Sequence, residues 1–107
     1  MLAQAIPKHH DLICFHCQQM AEKYLKALLQ ELGQPVLKTH NLLVLLQSLA
    51  PHDSTLAALR RRMMALSRFA VDFRYPGMSA NNRQSTAAIR SAEHVRRAFR
   101  QRLNLPQ

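Results

Sequence analysis

Apolar residues recur three and four apart over most of this chain, and the breaks between those stretches divide it into helices. The longest stretch runs from about His9 to Leu32. Ile13, Cys17, Met20, Tyr24 and Leu28 form one row and Ala21, Leu25, Leu28 and Leu32 another, which together predict one helix with a wide buried stripe. Glu22 and Lys26 stand four apart with the acid first, the favourable order for a pair on the outer face. Gly33 lies where a left-handed C-cap is needed, and Pro35 bars any restart of the same helix.

Three further helices follow from the same pattern. Thr39 is read as the N-cap of a short one, with Leu42, Leu45, Leu46 and Leu49 inward and Pro51 as its stop. Asp53 or Ser54 caps the next, whose Leu56, Leu59, Met63, Leu66, Ala70 and Phe73 make a bundle seam that Pro76 and Gly77 close. Capping residues between Ser79 and Asn82 open the last, which carries Ala88, Ala92, Val95, Phe99 and Leu103 inward until Pro106, with Arg83, Arg90 and Arg97 on its outer face. Met1 to Ile6 read as the tail of a helix that Pro7 ends. The expectation is an all-α, antiparallel four-helix bundle with short connections, built by residues 1–107 as a single domain.

Composition changes this picture in one respect. The net charge is +9, and residues 1 to 53 sum to zero because four lysines face Asp11, Glu22, Glu31 and Asp53. The excess lies in residues 54 to 107, with all eleven arginines. Forked guanidinium groups suit phosphate or carboxylate, so a polyanion or an acidic protein is the implied partner, against the plainer reading of a solvated face. No apolar run approaches the roughly 20 residues a membrane span needs, and the start lacks the pattern of a signal peptide, so a cytoplasmic protein with no membrane partner is expected. Cys14 and Cys17, three apart on one helix, fit small core residues better than a zinc or redox site, and no metal or cofactor is expected.

Phe15-His16-Cys17-Gln18-Gln19 with Ala21-Glu22-Lys23 and Leu25-Lys26-Ala27-Leu28-Leu29, then Thr39-His40 and Leu42, Arg74-Tyr75-Pro76, and later Ala92-Glu93, resemble the HEPN family, the higher-eukaryote and prokaryote nucleotide-binding domain. The resemblance covers about residues 8 to 102, with the family's long first helix mostly absent. It implies a helical bundle that usually dimerises, often beside a minimal nucleotidyltransferase, with members that bind nucleotides and members that cleave RNA without a metal. The RNase members resemble one another in an Arg followed, after four to six residues, by a His. Aligning on Tyr75 places Arg68 at that Arg and Phe73 where the His belongs, and Phe cannot move a proton. Arg90 and His94 are a comparable pair on one helix, but with three intervening residues the spacing differs.

The candidate nucleotide or phosphate ligands are Arg74, Tyr75, Arg68, His40 and Lys23, with no catalytic residue assigned. Arg74, at a helix end before Pro76, can fork onto a phosphate while Tyr75 stacks on a base; alternatively Arg74 satisfies helix carbonyls and Tyr75 packs in the core. His40 can reach the Gln18 and Gln19 region, either as a ligand or as a buried histidine satisfied by those amides. Three functions follow. The first is a nucleotide- or RNA-binding HEPN-type module, homodimeric and paired with a minimal nucleotidyltransferase in a toxin-antitoxin-like system. The others are a metal-independent endoribonuclease toxin and a non-enzymatic adaptor for an acidic protein.

Overall fold

The computed structural model describes residues 9–68 and 80–107. Within them lie α1 (His9–Glu31), α2 (Leu42–Leu49), α3 (Arg60–Ser67), entered through a 3-10 turn at Ser54–Leu59, and α4 (Asn82–Arg102), with no strand among the described residues. Among the described residues the expected all-α bundle of four helices is what forms. The expected positions of Met1 to Ile6, Ala70, Phe73, Pro76 and Gly77 fall outside the described residues.

Local chemistry accounts for the helix ends. After α1, Gly33 takes φ 70°, its N–H donates to the Gln30 carbonyl at 3.0 Å, and that of Gln34 donates to Leu29 at 2.9 Å, the double bond of a left-handed cap. The same device ends α4. Asn104 adopts φ 57°, and the N–H groups of Asn104 and Leu105 donate to Gln101 and Arg100 at 3.2 and 2.8 Å. Asn81 and Gln84 open α4 as a reciprocal capping box at 2.8 and 3.0 Å. Asp53 caps the third segment, which winds as a 3-10 helix through Leu59 before becoming α-helical. The cap of α2 is Asn41 rather than Thr39. Its side-chain oxygen accepts from Leu43 and Val44 at 3.0 and 3.2 Å, while the Thr39 hydroxyl accepts the Asn41 N–H in the turn before it.

The buried row of α1 is Cys14, Gln18, Ala21, Leu25, Leu28 and Leu29, not the row centred on Cys17 and Met20. Ile13, Cys17, Met20 and Tyr24 flank it half-buried, and Leu32 is exposed. The stripe turned because a buried amide, Gln18, occupies its centre, and apolar spacing alone counts that position as a gap. Leu42, Leu45, Leu49, Leu56, Met63, Leu66, Val95 and Phe99 complete the core, each large side chain contributing roughly 1.5–3 kcal/mol by its burial.

Helix directions follow from the contacts. Asp11 accepts the Ala80 N–H and His10 Nδ1 lies 2.8 Å from Ser85 Oγ, while Tyr24 rests on Phe99 with ring centroids 6.2 Å apart. Thus α1 and α4 run in the same sense, a departure from the antiparallel order expected, because the non-helical residues 32–41 make the return along α1 before α2 begins. The start of the third segment meets the end of α4 through Asp53 and Arg102, so α3 returns antiparallel along α4. Residues 32–41 run back along α1 and deliver α2 beside Gln18 and Glu22.

Candidate nucleic-acid interface

The three described candidate residues sit in three different settings, and Arg74 and Tyr75 lie outside the described residues. Arg68 is exposed at the C-cap of α3. Lys23 is exposed on α1, where it lines a groove of about 490 Å³ with His16, Gln19, Met20, Tyr24 and Ala27. The opposite wall is Leu103 and Leu105. That wall exists because the Asn104 cap reverses the chain and α4 holds it there: Arg100 donates to the Pro106 carbonyl and Arg96 to that of Gln107 at 2.8 Å. Arg100 also donates to the Tyr24 hydroxyl at 3.3 Å, fixing the ring that forms the groove wall. Among the described residues no carboxylate lines this groove, and its floor is mostly apolar.

His40 departs from the expected buried histidine. Its side chain is 76% exposed, and Nδ1 lies 3.0 Å from both carboxylate oxygens of Glu22. It is the backbone carbonyl of His40 that meets the buried Gln18 amide, at 3.2 Å. Lys26 reaches Glu22 at 3.1 Å, as its spacing predicts, but the carboxylate is sheltered beneath the 32–41 connection rather than on the outer face. Burial pushes the Glu22 carboxyl up, and hydrogen bonds from His40 and Lys26, with their charge, outweigh it and hold the group below its ordinary value. His40 therefore clamps the connection to α1, away from the groove that Lys23 lines.

The arginines divide in a similar way. Arg102 Nε lies 2.7 Å from Asp53 Oδ2, its Nη2 donates to the Thr55 hydroxyl at 2.7 Å, and its Nη1 donates to the Ala98 carbonyl at 2.7 Å. Hydrogen bonds from Thr55 and from Arg102 hold the Asp53 carboxyl below its ordinary value. Among the described residues no other arginine has a carboxylate within ion-pair distance. Arg60, Arg61, Arg83, Arg90 and Arg97 are exposed, and so is His94.

Several polar contacts escaped the sequence reading, among them Asp11 with Ala80, His10 with Ser85, and Asp53 with Arg102. A signal for the first was present, since Asp11 continues the row of Cys14, Gln18, Ala21 and Leu25. An acid in register with a buried row needs a donor, and the Ala80 N–H ahead of α4 is that donor. Cys14 is fully buried and Cys17 half-buried, and both thiols are free. Burial, reinforced by Cys17 and Asp11, pushes the Cys14 thiol up to about 11, and burial raises Cys17 also, which makes both poor nucleophiles near neutral pH. Among the described residues no three His, Cys, Asp or Glu side chains converge as metal ligands, and no described helix is long and apolar enough to cross a membrane.

A family model described as the HEPN domain matches residues 4–102. No curated protein and no solved structure matches the chain.

Proposed function

The chain belongs to the HEPN family, and from that premise we propose that residues 1–107 act as one nucleotide- or RNA-binding helical module. The observation that carries this reading is the α1 groove: apolar floor, aromatic wall, Lys23 at its edge and no carboxylate among the described residues that line it. Its volume suits a small planar anion. A base lies against Met20, Tyr24 and Leu105 while Lys23 holds the phosphate, with His16 and Gln19 available to polar edges. Arg68 and, on the family resemblance, Arg74 and Tyr75 are further candidate phosphate ligands. His40 serves the fold.

The module works as a homodimer beside a minimal nucleotidyltransferase, in a toxin-antitoxin-like pair. Two free, raised thiols suit a reducing cytoplasmic setting. The endoribonuclease alternative needs a proton-transfer group, and Phe73 occupies the position that the family's histidine takes. Binding is therefore the favoured reading.

Titration of fluorescent mononucleotides against wild type and Lys23→Ala tests it. Removing one charged hydrogen bond should weaken binding by about tenfold or more, with the melting curve unchanged. Equal affinity of the two proteins rejects the groove. End-labelled RNA incubated with chelator should stay intact; cleavage that disappears in Arg68→Ala or His94→Ala makes the protein a nuclease instead. Light scattering at micromolar concentration tests the dimer.

A further inference from the structure

Arg83, Arg90 and Arg97 of α4 recur every seven residues, and each is exposed. At about 100° per residue they fall within some 40° of one line down the helix, with about 10 Å between neighbours and about 21 Å from first to last. His94 lies on the same line. The opposite side of α4 is the packed one, formed by Ser85, Ala88, Ala92, Val95 and Phe99. Arg96, Arg100 and Leu103, which build the α1 groove, lie well around the helix from this row.

Two features separate this row from an ordinary solvated face. None of its arginines has a carboxylate within ion-pair distance among the described residues. Glu93 precedes Arg97 by four residues, in the order that favours a helical pair, yet no such pair forms. The helix that carries the row is also held at both ends. The capping box at Asn81 and Gln84 fixes one end of α4 and the double-bonded cap at Asn104 the other.

We propose that this face of α4 is a track for the phosphodiester backbone of a single nucleic-acid strand. The inference rests on the reading of the domain as a nucleic-acid binder but uses a face separate from the groove. Guanidinium groups fork onto phosphate oxygens. A row one residue wide matches one strand rather than two, and its even repeat suits a ligand whose charge also repeats, which an acidic protein surface does not offer. No Phe, Tyr or Trp interrupts it, so the track grips backbone rather than reading bases.

The test is fluorescence anisotropy of an oligouridylate of about ten nucleotides, and of the matching DNA, across a salt series. The proteins are the full chain, Arg90→Gln, the triple variant Arg83→Gln/Arg90→Gln/Arg97→Gln and Glu93→Gln, each checked by circular dichroism. Single strands contribute about 0.7 per phosphate contact to the slope of log K against log salt. The triple variant should lose about 2 in the magnitude of that slope and Arg90→Gln about 0.7. Glu93→Gln should tighten binding, and RNA and DNA should behave alike. Mononucleotide affinity of the triple variant should stay at the wild-type value, which separates the track from the groove. A triple variant with wild-type slope and affinity overturns the track while leaving the groove reading intact. RNA binding without DNA binding overturns the backbone mechanism. A wild type that ignores both strands but captures polyglutamate, with capture lost in the triple variant, reassigns the face to an acidic protein.

Discussion

Side by side for most of their length, α1 and α4 differ in what their charged groups face. On α1, Asp11 accepts the Ala80 N–H, and Glu22 holds both Lys26 and His40. The buried Gln18 meets the His40 carbonyl. These groups join one segment of the chain to another. On α4, Arg102 does the same work at Asp53, and Arg96 and Arg100 hold the tail. Arg83, Arg90 and Arg97 join nothing among the described residues. Residue type does not separate a structural arginine from a surplus one, since Arg97 and Arg102 are five residues apart on one helix. What separates them is the face: the core side of α4 meets carboxylates and carbonyls, and the far side meets solvent.

The largest stability effect is expected where the two helices meet. Phe99 is fully buried against Tyr24, and Phe99→Ala should cost about 3–5 kcal/mol in urea unfolding. A loss below 1 kcal/mol would mean that α1 and α4 are not joined through their core rows. Asp11→Ala comes next. It strands the Ala80 N–H in a buried site, which costs about 1–3 kcal/mol. Arg90→Gln, in contrast, should stay within about 0.5 kcal/mol of wild type, as an unpartnered surface change does. If it destabilises as much as Asp11→Ala, the arginine row is structural and the distinction between the helices collapses.

Much of the fold was legible because it depends on periodicity and punctuation. The inward leucines of α2, the inward row of α4 and the cap at Gly33 follow from spacing and from the left-handed conformation that glycine tolerates. The core row of α1 was displaced for a reason that spacing cannot express. Gln18 is a core residue only because the His40 carbonyl comes to it from 22 positions away. The same long reach hid the partners of Asp11 and Asp53 and the contact of the His40 imidazole with Glu22. For the candidate site, Lys23 emerged on a groove that required the reversed tail at Leu105, which no local pattern in α1 announces. Arg74 and Tyr75 rest on the family resemblance and the chemistry of their side chains.

The smallest effect divides the two helices by solution condition. Glu22 and Asp53 have carboxyl groups held below their ordinary values in the folded chain. A depressed carboxyl stabilises the fold fully above its unfolded value, near 4, and loses that contribution as the pH falls through the folded value. Stability of wild type should therefore decline in the acid range below about pH 4.5. Each partly exposed pair accounts for about 0.2–1 kcal/mol. Glu22→Gln should flatten one part of that decline and Arg102→Met another, though less completely. Thr55 still donates to Asp53 through its backbone N–H and its hydroxyl, so the carboxyl keeps part of its depression without Arg102. The arginines of the outer row pair with no carboxylate among the described residues and should leave the acid profile unmoved. If the triple arginine variant shifts the acid profile as far as Glu22→Gln does, those arginines face carboxylates in solution, and their surplus charge is not free to hold a strand.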